Sequence, residues 1–337
     1  MRSRVDSCPE KVMMLSCKLP VNPGKIHLAF ITFLIVLAGL LPPPSSLAND
    51  KENHFSYPAQ QHRDLQPLDP VTGDLRSYTI EGEDTLLDIA RDFNLGYYQL
   101  RRLYPEEDAW IPESGRELII PHEWILPLVG QADVVINLPE MRLYHYDKRT
   151  NRGYTYPVSI GQKSQATSVG TYSISEMVRD PTWTVPPSLE EQYEVQQIPP
   201  GPDNPVGEYW IGLAGTHLGI HGTNFPWSVG RAVTQGCIRL YPEDISRLYS
   251  RLEDDAQVKI VYKPIKFGSD GRDIYVQVYP DIYNRMSNML AYAYHRLKEK
   301  DLLHRVDMAH LIWALQRQSG LPVNITERSG KSGKSGK

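Results

Sequence analysis

Cysteine is scarce in this chain, with three in 337 residues. Cys8 and Cys17 sit in a basic, apolar-cored N-terminal stretch that reads as an export leader, so Cys237 is left without an intramolecular partner. A lone cysteine in an exported chain points to a dimer bridge or a reactive thiol, with a buried apolar cysteine as the plain alternative. A surplus of charge of either sign is also lacking. Lys and Arg number 36 against 40 Asp and Glu, for a net charge of −4. That balance excludes the basic surface a nucleic-acid partner would require. Phenylalanine is low, at six against twenty tyrosines, which suits either a surface that meets polar polymers or a polar-edged core. No lipidation box follows the apolar run of the leader, since Cys17 precedes it. A phosphate loop is missing too: the "GKS" of the tail lacks the upstream glycine and the flanking strand and helix.

What is present begins with the leader. Arg2, Arg4, Lys11, Lys18 and Lys25 precede an apolar run from Ile26 to Leu41. At sixteen residues the run is short for a spanning helix, which needs about 20, and it fits a secretory core. Small residues at Ser46 and Ala48 suit cleavage after Ala48. A retained membrane anchor over 1–48 is the alternative reading, and Met13 or Met14 would serve as a more usual start. Export of this kind places the protein in the periplasm. Residues 49–76 are polar, carry prolines 58, 67 and 70, and read as a flexible linker.

A small module is expected over 77–122. "SYTI" reads as a strand. Leu86, Ile89, Ala90 and Phe93 have helical spacing behind an Asp84 or Thr85 cap. "YYQLRRLY" reads as a second helix ended by Pro105, and "RELIIP" as a closing strand. With "YTI", "DTLLDIA" and "LIIP" in this order, the segment resembles a LysM domain, which implies binding to cell-wall glycan. From 132 to 263 the pattern becomes strand-like, with "DVVINL", "MRLYHYD", "GYTYPVSIG", "GTYSISEM", "EYWIGLA" and "QVKIVYKP", and one clear helix, "PEDISRLYSRL". A proline-rich connection of roughly thirty residues, longer than most loops in compact domains, reads as a lid or binding loop before "EYW". Residues 264–322 read as a mostly helical extension, with Asp281 and Asp307 as helix caps, and 323–337 as a disordered basic tail.

The chemistry lies in "IHGTNFPWSVGRAVTQGCIRL". A free thiol has a pKa of about 8.5 and needs a base or a positive charge to act as a nucleophile. His221 can accept the Cys237 proton and return it to a leaving amine. Gly236 permits close backbone approach, amides around Gly236 and Cys237 can face an oxyanion, and Arg239 can favour thiolate or grip a substrate carboxylate. Arg239 can equally pair with Glu243 or Asp244 on the surface. His217 and His221 would share one face of a strand, but a third zinc ligand is not evident, so no metal is expected.

These residues resemble the L,D-transpeptidase family, of YkuD- or ErfK-like catalytic domains. The matching positions are His221, Gly222, Thr234, Gly236, Cys237 and Arg239. Gln235 stands where the family often has histidine, and Ser168 where proline is usual. The resemblance implies a mostly β, sandwich-like catalytic fold, with the LysM-like α/β module before it and the helical extension after it. It implies Cys237 as nucleophile, His221 as proton donor and acceptor, and Gly236, Thr234, Arg239 and Gly222 at the oxyanion or substrate. It implies no metal or organic cofactor, and peptidoglycan stem peptides and glycan as partners. The reaction would release D-alanine from a tetrapeptide stem and pass the acyl group to an amine, either of another stem or of an outer-membrane lipoprotein. Acylation by carbapenems is a further implication. Stem trimming as an L,D-carboxypeptidase, a non-catalytic wall-binding scaffold and a metal-dependent peptidase are the alternatives.

Overall fold

Apolar residues on both faces of Val134–Asn137 make this short strand the centre of the protein. In the computed structural model, residues 54–56 and 68–328 are described, apart from 128 and 131. The expected leader, most of the expected linker and residues 329–337 lie outside them. The largest sheet has nine strands in the order β1-β6-β5-β4-β15-β8-β11-β12-β14. They are β1 (His54–Ser56), β4 (Val134–Asn137), β5 (Arg142–Asp147), β6 (Arg152–Pro157), β8 (Gly170–Arg179), β11 (Tyr209–Leu213), β12 (Gly219–His221), β14 (Ile238–Arg239) and β15 (Gln257–Val261). A five-stranded sheet joins β2 (Asp69–Thr79) and β3 (Glu117–Ile125) to β16 (Ile265–Ser269), β17 (Ile274–Val278) and β18 (Pro322–Asn324). Two small pairs complete the β structure: β7 (Ile160–Gly161) with β13 (Ala232–Thr234), and β9 (Trp183–Thr184) with β10 (Gln197–Ile198). The helices are α1 (Leu86–Asp92), α2 (Tyr97–Arg101), α3 (Glu190–Tyr193), α4 (Pro242–Arg251), α5 (Met289–Glu299) and α6 (Met308–Arg317).

The period of two along a strand divides the core. Val134, Ile136 and Leu143 join Ile211, Ile220, Ile238, Ile245 and Leu248 in one cluster. Val135, Tyr144 and Tyr146 turn the other way and pack with Ile80, Leu86, Ile89, Leu100 and Ile120 of the N-terminal lobe. Each such side chain contributes about 1.5–3 kcal/mol on leaving water. Strands β4 and β5, covered on both faces, anchor the sheet on which the site is built.

Within the N-terminal lobe, the Thr85 side chain caps α1 by accepting from the Asp88 amide. The strand entering this lobe begins at Asp69, inside the segment expected to be linker. From Val71, opposite Ile125, to Thr79, opposite Glu117, it pairs with the whole of β3. Gly73, at φ +86°, lies so close to the His122 carbonyl that a side chain there would clash, and a glycine of this kind interrupts the alternation that would mark the strand. The lobe is also not a bead on a string. Asp69 and Pro70 pair with Gly268 and Ser269, which ties the lobe to the C-terminal strands.

The C-terminal segment departs from a mostly helical extension in the same way. "IKFGS" and "IYVQV" form the hairpin β16–β17, and Val276, Val278 and Phe267 pack beneath Ala293, Leu297, Leu311 and Ala314 of α5 and α6. The first helix starts later than a cap at Asp281 would place it. Asn288 caps α5 by accepting from the Ala291 amide, while the Asp281 carboxylate closes a turn by accepting from the Arg285 and Met286 amides. Asp307 caps α6. The chain is still ordered past 322: β18 pairs with β17, and Ile325 is buried.

Candidate active site

Strands β12 and β14 run parallel, with Ile220 opposite Ile238 and His221 opposite Arg239. The crossover between them carries β13, which pairs with β7. One step back in this register brings Gly219 opposite Cys237. Alternation then buries Ile220 and Ile238 in the core, both fully inaccessible, and puts His221, Cys237 and Arg239 on the other face.

His221 is 4% exposed. Its Nδ1 lies 2.6 Å from the Gly222 carbonyl. A carbonyl can only accept, so Nδ1 carries the proton and Nε2 is the basic nitrogen. Burial and the nearby Arg239 charge hold the imidazole neutral, with its pKa pushed down to about 3. The Trp210 ring, opposite His221 on β11, stacks on it with centroids 5.8 Å apart. The indole N–H donates to Glu176 Oε1 at 3.0 Å. Gly219 makes this packing possible, because a Cβ there would lie 2.4 Å from the indole.

Cys237 is partly buried and not in a disulfide. Its thiol points to the His217 carbonyl at 3.8 Å. Burial pushes the thiol up from its ordinary value, while the Gly219 amide and the Arg239 charge pull it down. Burial thus favours the neutral form of both side chains. His217 itself lies in an exposed turn before β12, off the strand it was expected to share with His221.

The turn before the cysteine is built from hydroxyls. Thr234 Oγ1 donates to the Cys237 carbonyl at 2.6 Å and accepts from the Gly236 amide at 3.3 Å. Gly236 has φ +110°, a conformation that favours glycine. Its carbonyl accepts from Thr167 Oγ1 at 2.8 Å. Thr167 in turn accepts from the Gly161 amide, and the Tyr283 hydroxyl donates to the Gly161 carbonyl at 2.6 Å. Gly161 has no room for a side chain, since a Cβ would lie 2.2 Å from the Gln165 carbonyl.

Arg239 donates from Nη1 to Ser228 Oγ at 2.9 Å, and its buried Nε has no partner. Neither Glu243 nor Asp244 pairs with it. Glu243 takes both arms of Arg91, at 2.8 and 2.9 Å, and Asp244 takes Arg247 at 3.2 Å. Tyr193 lies within electrostatic reach of Arg239. It belongs to the proline-rich connection, which folds as the β9–β10 flap with Trp183 packed edge-on against Tyr193 at 5.0 Å. Buried Asn204 staples both ends of this flap, donating to the Pro181 and Pro199 carbonyls and accepting from the Val206 amide.

The L,D-transpeptidase catalytic domain (YkuD) matches residues 131–260. "Probable L,D-transpeptidase YcfS" of Escherichia coli K12 is 32% identical over 255 residues, covering 72% of this chain and 75% of that protein. "Probable L,D-transpeptidase ErfK/SrfK" of the same strain is 31% identical over 284 residues, covering 78% and 91%. The chain belongs to the L,D-transpeptidase family. The NMR structure of the catalytic domain from the E. faecium L,D-transpeptidase is covered over 98% of its length but superposes loosely, with 18% identity and a TM-score of 0.31.

Within this L,D-transpeptidase, the residues singled out from the sequence fall into two groups. Cys237, His221 and Arg239 share a face. Thr234, Gly236 and Gly222 shape the backbone around them: Gly222 supplies the carbonyl that orients the imidazole, and Thr234 engages the Gly236 amide. Gln235 is exposed at the turn. Sequence reasoning missed Trp210, Thr167 and Tyr283, which reach the site from three separate segments, and Ser228, which lies inside the glycine-punctuated stretch itself. Only Trp210 carried a local signal, as an aromatic in a glycine-bounded strand.

Proposed function

We propose that this L,D-transpeptidase transfers the acyl group of a peptidoglycan tetrapeptide stem through a thioester on Cys237. The observation that carries this reading is the shared face of His221 and Cys237, with the imidazole tautomer set by the Gly222 carbonyl. Nε2 of His221 takes the Sγ proton as sulfur attacks the carbonyl of diaminopimelate at its bond to the terminal D-alanine. The S–C bond forms, negative charge collects on the carbonyl oxygen, and the Cys237 amide is the donor we assign to it, because the Gly236 amide already meets Thr234. Collapse breaks the C–N bond, and the imidazolium returns its proton to the leaving D-alanine amine. An acceptor amine then attacks the thioester, passes a proton to His221, and regenerates the thiol.

Arg239 suits the D-alanine carboxylate. It lies beside the nucleophile, and its Nε is unpartnered. The acceptor is an amine of a second stem, which yields a cross-link, or a lysine of an outer-membrane lipoprotein, which yields a tether. Water as acceptor would make the enzyme an L,D-carboxypeptidase. The partners are then stem peptides in the periplasm, with the LysM-like lobe facing glycan. The test is to incubate the purified protein with a synthetic tetrapeptide donor and an amine acceptor, and to follow D-alanine release and the joined product by mass. Release with product formation, both lost in Cys237→Ala, is expected. Release that persists in Cys237→Ala, or none from the wild type, would overturn the reading.

A further inference from the structure

The N-terminal lobe meets the loop between β12 and β13 at Arg231. The segment Ser159–Gly161 is held between two arginines by its backbone. The Ile160 amide donates to the Arg231 carbonyl at 3.1 Å, while Ser159 exchanges bonds with Arg239 at 2.8 and 3.0 Å. Paired extended segments lie about 4.8 Å apart, so the two arginine backbones flank one strand width on either side. The Arg239 guanidinium then reaches Ser228, three residues before Arg231 on the same loop.

The two guanidiniums share a second property. Each has a buried Nε with no hydrogen-bond partner, and among the described residues neither is paired with a carboxylate. Their neighbours Arg91 and Arg247 are both paired, with Glu243 and Asp244. A buried N–H without an acceptor is unusual in a native protein and calls for an explanation. Arg231 is also held against an aromatic ring. Its guanidinium carbon sits 3.7 Å from the centroid of the Tyr97 ring. The ring covers one side of the guanidinium, a fork whose donors suit a carboxylate with two bonds. Tyr97 is itself fixed. Its amide, at the first turn of α2, donates to the Val229 carbonyl at 3.1 Å. Beneath it Gly96 and Gly230 touch backbone to backbone, so that a Cβ on Gly230 would lie 2.4 Å from Gly96 Cα.

We propose that Arg231, presented by Tyr97 of the N-terminal lobe, is a second carboxylate receptor beside Arg239 and selects donors that carry a free carboxylate on the residue whose acyl group is transferred. This rests on the acyl-transfer reading above. Diaminopimelate fits the requirement: one of its carboxyl groups forms the scissile bond and the other is free, while the leaving D-alanine carries its own. Two anions flank the reacting carbonyl, and two arginines without carboxylate partners stand on the strands either side of Ser159–Gly161. The lobe then has a role at the reaction centre that needs no glycan, since it orients the guanidinium that reads the donor.

The test uses two synthetic tetrapeptide donors, identical except that the free carboxylate of diaminopimelate is a carboxamide in one. Wild-type enzyme is expected to prefer the carboxylate donor by about tenfold or more in kcat/KM, the scale of a charge-assisted pair. In Arg231→Met the preference should fall to near unity, through a raised KM for the carboxylate donor alone, with the carboxamide donor unchanged. Arg231→Lys, which keeps the charge without the fork, should retain part of the preference, and is read in its place should the methionine variant fail to fold. Equal losses on both donors, or a preference that survives in the variants, would overturn the proposal while leaving acyl transfer intact. If wild type releases D-alanine from neither donor and forms no carbapenem adduct, the acyl-transfer reading fails and the proposal fails with it.

Discussion

Arg91 and Arg239 make an instructive pair. Arg91 sits in the seam between the N-terminal lobe and α4, with both arms on Glu243 and its guanidinium carbon 5.9 Å and 5.5 Å from the Trp227 and Tyr241 rings. Tyr241 adds a hydrogen bond to the Leu95 carbonyl, and buried Arg142 reaches the Asn94 carbonyl and Gln99. The seam arginines take their acceptors from the protein itself. Arg239 has one neutral hydroxyl partner and a bare Nε. An orphaned Nε does not mark a site by itself, because Arg142 has one too; but Arg142 is fully inaccessible, whereas Arg239 and Arg231 are only partly buried. Partial access together with an unmet donor is what separates a cation awaiting an anion from one that serves the fold.

The largest effect should come from the site side of this comparison. Cys237→Ala is expected to abolish acylation with no change in thermal midpoint, as measured by intact mass and by melting. His221→Gln should slow acylation by about 10²–10⁴-fold, the usual contribution of a general acid–base group, as measured by single-turnover D-alanine release. Intermediate effects should come from the seam. Gly230→Val forces a side chain into Gly96 at φ +83°, and should cost about 2–4 kcal/mol in denaturant unfolding. Its remaining folded fraction should bind donor more weakly, because Ser228 and Arg231 lie on the same loop. Arg91→Gln should cost no more than about 1 kcal/mol, as the pair is roughly one-third exposed, and should leave acylation unchanged. A loss of activity in Arg91→Gln as large as that in Arg239→Gln would erase the distinction.

The smallest effect sharpens the resting state. Burial holds the Cys237 thiol above its ordinary value, so thiolate is a minor species at neutral pH and rises tenfold per pH unit. Alkylation of the free enzyme by iodoacetamide should therefore climb between pH 6 and 8, a range that lies wholly below the ordinary thiol value of about 8.5. A flat rate across that range would indicate a preformed thiolate–imidazolium pair. Replacing Arg239 with Gln removes a charge that pulls the thiol down, and should slow alkylation further at each pH.

The chemistry of the site was legible because it is local. His221 and Cys237 lie within one glycine-punctuated stretch, and Thr234, Gly236 and Arg239 fall inside the same motif. The Thr85 cap and the spacing of Leu86, Ile89 and Ala90 are likewise local, and α1 spans Leu86–Asp92. What escaped is assembled over distance. Trp210, Thr167 and Tyr283 each obey only their own strand or turn, and nothing in their neighbourhoods says that they gather around His221, Gly236 and Gly161; Ser228 lies inside the motif, but its bond to Arg239 depends on how the loop folds. The strand from Asp69 was hidden by Pro70 and Gly73, which read as breakers and are accommodated by pairing with β16 and β3. In the C-terminal segment, the strand propensity of "IYVQV" was outweighed by two stronger helical patterns that follow it.

The account stands on Cys237 as the acylated residue, and intact-mass measurement of the purified protein after incubation with a carbapenem tests this most directly. One adduct per chain on the wild type, mapped by peptide analysis to Cys237 and missing from Cys237→Ala, is the expected result. An unmodified wild type, or an adduct that persists in Cys237→Ala, would contradict it.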